Sequence, residues 1–457
     1  MLRAHQIVAL CVMALLSIGV VMVNSAAFEV VPKPAKAQAV ITPDAAQPPA
    51  AAPQPATKNT LDPVDPTPKA REVTLAGLLT SQHAIFMVVA LLAMGGAALF
   101  PIRRIAERLV PSGEIPILTH DRRWAGVGAL AMGTILIVAL LALVYLSGVG
   151  KAAKGSERWL RIPAPGLGQI SVQPSEIAKW GLVLLLAYFA AKRAAVMSLF
   201  WRGLAPALIA MGIVSGVVIK EDLGTGALIG AAAAIVLLAG GARLWHFAVL
   251  SPLAAGAIYF AIAGSEYRMK RITAFIDPYA DPQGTGYHPI QSMGAVAGGG
   301  ILGRGLGHGI QKFGYLPEDT NDFIFAIICE ELGAPGAALV IGLFAILIWS
   351  AFAIIAREQN RMLKLFGLGV VATVGLQALI NLAVVTALGP TKGIALPLVS
   401  AGGTGWTLTA VSLGLLISMG RTQGQSLLIP LTPGRSPLRS PVEVMIPSDS
   451  SRAVVGG

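Results

Sequence analysis

The sequence predicts an all-α, polytopic membrane protein with about ten transmembrane helices and a long extracytoplasmic loop between helices seven and eight. Two observations predict this class. Charged residues make up 12% of the chain and hydrophobic residues 55%, whereas a soluble domain carries about 25% charged residues. Apolar runs also recur along the chain, and runs of about 18 or more residues are long enough to cross a bilayer as helices.

The predicted spans follow one another at short intervals in most of the chain. They cover residues 7–26, 82–100, 124–148, 177–191, 203–219, 225–242, 246–264, 323–355, 365–388 and 394–419. Lys and Arg residues collect after the second, fourth, sixth, eighth and tenth spans, and such residues are enriched on the cytoplasmic side of a membrane. This pattern predicts that both termini are cytoplasmic and that residues 265–322 lie outside.

The chain therefore divides into six predicted parts. These are a first transmembrane helix (1–26), an Ala/Pro-rich extracytoplasmic loop (27–81), transmembrane helices two to seven (82–264), an extracytoplasmic loop (265–322), transmembrane helices eight to ten (323–420) and a disordered cytoplasmic tail (421–457). The first span has an alternative interpretation as a signal peptide, because small residues follow its apolar run.

The charge and cysteine content exclude several classes of site. A formal net charge of +11 would suit a nucleic acid, but no basic stripe is interleaved with aromatic residues, so we predict no nucleic-acid partner. The two cysteines offer neither a disulfide framework nor zinc-ligand spacing. The six histidines are scattered, without an HExxH motif.

The stretch YLPEDTNDFIFAIICEELG, residues 315–333, places five acids around an apolar run. Asn321 is the predicted N-cap of the eighth span, which puts Asp322 in its first turn. There Asp322 either stabilises the helix dipole or serves as a general base or a ligand for a divalent metal. Glu330 and Glu331 fall deeper along the helix, where acids mostly pair with internal partners, and we interpret them as structural.

A glycine-rich run, GAVAGGGILGRGLGHG, precedes this stretch. It lacks the Gly-Lys pair and the strand-to-helix context of a phosphate-binding loop. We expect these glycines to permit close backbone packing at the membrane surface instead.

Several longer motifs occur in an order that resembles one known family. They are GVVMVNSAA (19–27), ERWLRI (157–162), QPSEIAKW (173–180), EDLGTG (221–226), most of 267–333 and GPTKGIALPLVSAGGTG (389–405). The chain resembles the SEDS family (shape, elongation, division and sporulation), and the TKG at 391–393 favours its cell-division type over its elongation type. The resemblance also favours a retained first helix. The chain departs from the family pattern at Gly314, Asn321, Ala401 and His288.

The resemblance implies a ten-helix peptidoglycan glycosyltransferase of the cytoplasmic membrane, active at the division septum. It would polymerise lipid II, an undecaprenyl-diphosphate-linked disaccharide-peptide, together with a class B penicillin-binding protein transpeptidase and other divisome membrane proteins. The family's catalytic aspartate corresponds to Asp322.

From the chemistry of a diphosphate leaving group we add further candidate residues. Glu318 joins Asp322 in catalysis, and the two carboxylates are candidate ligands for Mg²⁺ or Mn²⁺; no organic cofactor is expected. The candidate substrate-binding residues are Lys312, Arg271, Lys392, Arg268, Gln311 and Ser400. Two other classes stay open, a transporter of the lipid-linked precursor and a non-catalytic divisome scaffold.

Overall fold

The structure of the protein is a computed structural model. It describes residues 2–26, 81–112, 126–145, 150–153, 156–164, 168–313, 315–317 and 320–423. The predictions for the Ala/Pro-rich loop and for all but the start of the cytoplasmic tail lie outside these residues.

Ten long helices in the described part of the chain correspond one for one to the ten predicted spans. They are α1 (Ala4–Ala26), α2 (Gln82–Leu99), α4 (Val127–Ala142), α5 (Pro174–Lys192), α6 (Ala205–Glu221), α7 (Leu223–Ala239), α8 (Leu244–Ala263), α11 (Ile324–Ala356), α12 (Arg361–Val385) and α13 (Gly403–Thr422). Seven of these segments are long and apolar enough to cross a membrane. Of the other three, α7 has 17 residues, and α5 and α13 carry more polar side chains. The polytopic helical class is confirmed.

Shorter helices connect the spans. They are α3 (Ile102–Leu109), α9 (Glu266–Ile276) and α10 (Tyr287–Gly299), with 3₁₀ turns at Leu143–Tyr145 and Pro278–Ala280 and a π-helical turn at Phe200–Leu204. The region predicted as a long loop before the eighth span is therefore partly helical, because α9 and α10 lie within it.

A small antiparallel sheet lies between α4 and α5, which the sequence analysis did not anticipate. Its strands are β1 (Gly150–Ala153), β2 (Ser156–Ala164) and β3 (Gly168–Val172), in the order β1-β2-β3. The backbone of Leu160 pairs with Gly150 on one side and Val172 on the other. The hydroxyl of Thr404 donates to the carbonyl of Ser171 at 2.7 Å, so the third strand is tied to the start of α13.

Helix α1 lies inside the bundle. Val8, Val12 and Leu15 are fully buried, and α1 packs against α11 and α13. By contrast, α8 has no buried residue. The core of the bundle therefore excludes α8 and includes the first predicted span.

The tenth predicted span begins later than the apolar pattern indicated. It was expected from residue 394, but α13 begins at Gly403. Residues 389–402 are irregular, and Leu398 has a φ of 63°, in the left-handed region that bulky residues rarely adopt. The boundary was wrong because this apolar segment is buried as an irregular chain among other helices rather than exposed to lipid.

The glycine-rich run crosses α11 at very short range. Gly333 has a φ of 64° and interrupts α11, and a Cβ built on it would lie 2.3 Å from the backbone nitrogen of Gly303. A Cβ on Gly299 would lie 1.9 Å from the carbonyl oxygen of Cys329. The expectation that these glycines permit close packing agrees with this geometry, since any side chain there would collide with backbone.

Candidate active site

Asp322 lies half-buried in the turn that leads into α11. The helix begins at Ile324 with Phe323 as its N-cap, and the carbonyl of Phe323 accepts a hydrogen bond from the nitrogen of Ala326 at 2.9 Å. The prediction that Asn321 is the N-cap is therefore wrong. Phe323 is buried and its ring stacks on His288 of α10, with centroids 5.9 Å apart. Because this packing holds Phe323 at the helix boundary, Asp322 lies before the first turn.

The irregular segment 389–402 is held against this turn by hydrogen bonds from side chain and backbone. The Nδ2 of Asn381 donates to the carbonyl of Asp322 at 2.7 Å and to that of Ile394 at 2.8 Å. The backbone nitrogen of Ala401 donates to the carbonyl of Thr320 at 2.9 Å. Chain segments about 70 residues apart thus form one unit at this end of the bundle, as buried backbone groups require partners.

Gly393 is the residue of that segment that lies against the Asp322 side chain. A Cβ built on Gly393 would lie 3.0 Å from Oδ2 of Asp322. Lys392, its neighbour, is half-buried. In this segment the cationic Lys392 is therefore the immediate neighbour of Gly393, the residue that faces the Asp322 carboxylate.

A cluster of cations and one acid surrounds Lys392. Burial lowers the pKa of Lys392 below the usual lysine value; Asp222 opposes this shift, and Arg268 and Arg271 add to it. Arg271 donates from Nη1 to the carbonyl of Thr391 at 3.0 Å, and its guanidinium lies 4.5 Å from the centroid of the Tyr267 ring. Three predicted substrate-binding cations therefore share one electrostatic environment.

Of these three cations, Arg268 makes the most hydrogen bonds to backbone carbonyls. Its guanidinium donates to the carbonyls of Ala261, Ile219 and Lys220 at 3.1, 2.8 and 2.9 Å. These carbonyls lie near the ends of α8 and α6. The side chain thus ties α9 to both helices while its charge stays near Lys392.

Lys312 belongs to a different group of buried residues. Its ammonium lies 2.9 Å from Oε1 of Glu331 and 3.3 Å from the hydroxyl of Ser25, and both ends of the ion pair are at most 2% exposed. Glu331 also accepts from the nitrogen of Gly307 at 3.0 Å. Because Lys312 already has a buried carboxylate partner, this geometry gives no support to the prediction that it binds the diphosphate.

Glu330 completes this second group. It accepts from the backbone nitrogens of Ile310 and Gln311 at 2.9 and 3.2 Å and lies 3.5 Å from Nε of Arg304. The two glutamates therefore fasten the glycine-rich run to α11, in agreement with the structural interpretation made from the sequence.

Two other predicted substrate-binding residues have internal contacts. The hydroxyl of Ser400 accepts from the nitrogen of Leu396 at 2.7 Å and is buried, so it closes a turn of segment 389–402. Gln311 contacts Glu330 through its backbone, and its Oε1 is buried without a hydrogen-bond donor among the described residues. Their predicted contact with substrate stays a prediction.

Glu318 and Gly314 lie outside the described residues, so the second predicted catalytic carboxylate has no structural account. Among the residues that the structure describes, no group of three or more His, Cys, Asp or Glu side chains could hold a metal ion. The described residues alone do not fit a divalent-cation site at Asp322. The metal stays a prediction.

A largely apolar cavity opens on the other side of Asp222. Its volume is about 40 Å³, and it is lined by Leu141, Val144, Tyr145, Gln173, Pro174, Ser175, Val217, Val218, Glu221 and Asp222. The hydroxyl of Tyr145 donates to Glu221 at 2.7 Å at its edge. Apolar space thus adjoins the cationic cluster.

The sequence analysis missed Gln377 and Gly393. The Nε2 of Gln377 donates to the carbonyl of Ala395 at 2.9 Å, and its Oε1 accepts from Lys179 at 3.0 Å. One signal was available: Gln377 and Asn381 are four residues apart in an apolar helix, so they lie on one face. Gly393 lies in the TKG motif, which the sequence analysis used only to favour the division type.

Together the fold and this site define a class, a polytopic helical membrane protein with a carboxylate and a cationic cluster at one end of its bundle. Comparison with known families identifies it further. Residues 123–425 match the family model of the FtsW, RodA and SpoVE proteins, described as cell cycle proteins. The chain belongs to this family.

Individual relatives agree with this assignment. The chain is 35% identical over 327 residues to a probable peptidoglycan glycosyltransferase FtsW of Geobacter metallireducens, covering 71% of this chain and 82% of the relative. It is 36% identical over 319 residues to the stage V sporulation protein E of Bacillus subtilis, covering 65% and 85%.

Two solved structures share the fold. One comes from work on the structural coordination of polymerization and crosslinking by a peptidoglycan synthase complex; it is 25% identical, with a TM-score of 0.54 over 77% of this chain and 94% of that one. The other is the rod shape determining protein RodA of Thermus thermophilus, 20% identical, with a TM-score of 0.52 over 91% and 96%.

Proposed function

We infer that this protein is a peptidoglycan glycosyltransferase that polymerises lipid II into glycan strands, with Asp322 as its catalytic base. The observation that carries the proposal is the contact of Asp322 with segment 389–402, whose Gly393 faces the carboxylate and whose Lys392 lies in a cluster with Arg268 and Arg271. The names of the relatives, peptidoglycan glycosyltransferase among them, support the reaction class.

In the proposed reaction the 4-hydroxyl oxygen of one sugar attacks the anomeric carbon of another. The bond from that carbon to the diphosphate oxygen breaks, and the lipid diphosphate leaves with the electron pair. Asp322 takes the proton of the attacking hydroxyl. General-base catalysis of this kind contributes about 10²–10⁴-fold to a rate.

The charge that develops on the diphosphate requires cations held in place before the reaction. Lys392 and Arg271 are the proposed contacts, and Arg268 adds its charge from a fixed position. Lys392 acts as a point charge, whereas Arg271 offers a planar fork of donors.

A divalent cation held by Asp322 and Glu318 is a separate proposal. It would add positive charge near the leaving group. The steps above do not depend on it.

The cellular location and the protein partners are also part of the proposal. The protein is an integral membrane protein; we propose that it resides in the cytoplasmic membrane at the division septum, with both termini in the cytoplasm. A class B penicillin-binding protein transpeptidase is the proposed partner, together with other divisome proteins. The match to a peptidoglycan synthase complex supports a crosslinking partner of this kind.

The test is polymerisation of labelled lipid II by the purified protein in detergent, alone and with a cognate transpeptidase. Wild type should make glycan strands and Asp322→Ala should make none, while both elute as folded protein in size-exclusion chromatography. A detergent assay has no bilayer to cross, so strand formation also separates an enzyme from a transporter. If the folded wild type makes no strands with its partner present, the transporter or scaffold interpretation is correct instead.

A further inference from the structure

One amide side chain connects the two halves of the candidate site. Asn381 is 1% exposed, on the α12 helix, and its Nδ2 donates both of its hydrogens, one to the carbonyl of Asp322 and one to that of Ile394. The donor assignment follows from charge, since a rotated amide would turn its oxygen toward two carbonyl oxygens. Asn381 thus joins the turn that contains Asp322 to the segment that contains Lys392.

Neither of these two chain segments has the regular backbone hydrogen bonds of a helix or sheet that would fix the distance between them. Residues 320–323 and 389–398 are turns or irregular chain, so their carbonyls depend on donors from elsewhere. On the same face of α12, Gln377 holds the carbonyl of Ala395. Lys179 donates to Gln377 at 3.0 Å and pairs with Glu176 at 2.8 Å, so the support extends to α5.

The chemistry of the bridge selects asparagine. One nitrogen must present two hydrogens to two carbonyls at 2.7 and 2.8 Å. An aspartate would present oxygens, a leucine would present neither donor, and a glutamine would place the same group one methylene further from α12. The bridge therefore depends on both the amide and its length.

We propose that Asn381 is a positioning residue that sets the distance between the Asp322 carboxylate and the Lys392 segment, with Gln377 as its support. The inference rests on the proposed glycosyltransferase function. It explains how the catalytic base and the substrate-binding cations are held at a fixed distance from each other. Catalytic groups displaced by about 1 Å lose about 10²-fold in rate. Removing the bridge releases both segments at once.

The first experiment measures strand synthesis by Asn381→Ala, Asn381→Asp and Gln377→Met against wild type. Asn381→Ala and Asn381→Asp should lower the maximal rate by about 10–100-fold, and Gln377→Met, which leaves the Asn381 bridge in place, should lower it less. The half-saturating concentration of lipid II should change less than the rate, because Arg268 keeps its contacts with α6 and α8 and the charges of Lys392 and Arg271 are unaltered. Each assay is run well below the unfolding temperature of the variant, so that loss of folded protein does not contribute.

A matched control lies on the same helix. Thr373 is buried on α12 and its hydroxyl donates to the carbonyl of Gly369 at 2.7 Å, within the helix. Thr373→Val removes one buried hydrogen bond without touching the site, and should leave the rate of the folded protein near that of wild type.

A second measurement distinguishes positioning from a general structural role. Gly393→Ala also changes the distance between Asp322 and its segment, since its Cβ would lie 3.0 Å from Oδ2. The two substitutions should therefore be non-additive, and the double variant should be little slower than the worse single variant. Independent, multiplicative losses would overturn the inference, as would a wild-type rate in folded Asn381→Ala. If wild type itself makes no strands, the proposed function has failed rather than this inference.

Discussion

The ammonium of Lys312 lies 2.9 Å from the carboxylate of Glu331, and both side chains are buried. The residues are 19 positions apart, and Ser25 of α1 contacts both. This ion pair joins α11, α1 and the chain just after the glycine-rich run at one point. The lysine that the sequence suggested for the diphosphate therefore has a buried carboxylate partner, and its contact with substrate stays a prediction.

Lys312→Met should therefore destabilise the protein rather than block chemistry. It leaves the Glu331 carboxylate buried without its cation, and breaking such a pair costs about 3–5 kcal/mol. Thermal unfolding in detergent should show a clear loss, and Glu331→Gln in the same chain should recover part of it. If Lys312→Met unfolds like wild type yet makes no strands, its predicted role in binding the diphosphate is restored.

Gly393→Ala should slow strand synthesis with little change in stability. The added methyl would lie 3.0 Å from Oδ2 of Asp322, so the carboxylate or the segment must shift. Gly389→Ala is the matched control in the same connection, because its Cβ would lie 4.0 Å from the nearest atom, Cγ2 of Val384. Initial rates of the two variants are compared; equal rates would argue against a close functional contact at Gly393.

Binding of lipid II should weaken as the pH is raised above neutral, if Lys392 contacts the diphosphate. Burial lowers the pKa of Lys392, so its ammonium is present below that pKa and is lost at a lower pH than in an exposed lysine. The half-saturating concentration of lipid II is measured from pH 7 upward, each variant being compared with its own value at neutral pH. Lys392→Arg keeps its charge throughout this range and should remove the alkaline rise; persistence of the rise would assign it to another group.

Chelation tests the divalent cation. If Asp322 and Glu318 hold Mg²⁺ or Mn²⁺, EDTA should suppress strand synthesis and either ion should restore it. Ca²⁺-loaded EDTA serves as the control for effects of the chelator itself. Activity unchanged by EDTA would remove the cation from the proposal and leave the side-chain cations as the stabilising charges.

Gly19→Val should destabilise the bundle. A Cβ on Gly19 of α1 would lie 2.7 Å from the carbonyl oxygen of Val399 and 2.9 Å from that of Leu398. Because both atoms are backbone, either α1 or segment 389–402 must move. Overpacking of this kind costs about 1–3 kcal/mol. In α2, a Cβ on Gly95 would meet no atom within 4 Å, so Gly95→Ala should be neutral or slightly stabilising in the same thermal unfolding assay.

Much of the fold was predictable because the bilayer limits the choices. Backbone groups in lipid must bond within their own segment, so apolar runs of sufficient length become helices. All ten predicted spans correspond to helices, including α5, where Glu176 and Lys179 pair with each other inside the bundle. The exceptions are the start of α13, where buried irregular chain stands in place of helix, and the sheet between α4 and α5.

The candidate site was predictable only in part. Motif resemblance pointed to Asp322, and glycine spacing pointed to close backbone packing. The sequence did not distinguish the roles of Lys392 and Lys312. Lys392 lies next to Gly393, which faces Asp322, whereas Lys312 is paired with Glu331. Both lysines lie within motifs that carry the family resemblance, and only their burial and partners distinguish them.

By itself, the sequence determined the membrane class, the ten long helices and the family, because hydrophobic run length and ordered motifs are properties of the chain. Tertiary structure decided which polar residues meet. Asn381 and Asp322 are 59 residues apart, and no periodicity within a helix relates them. Their contact arises because α12 packs beside α11 and leaves two irregular segments whose carbonyls need the same donor.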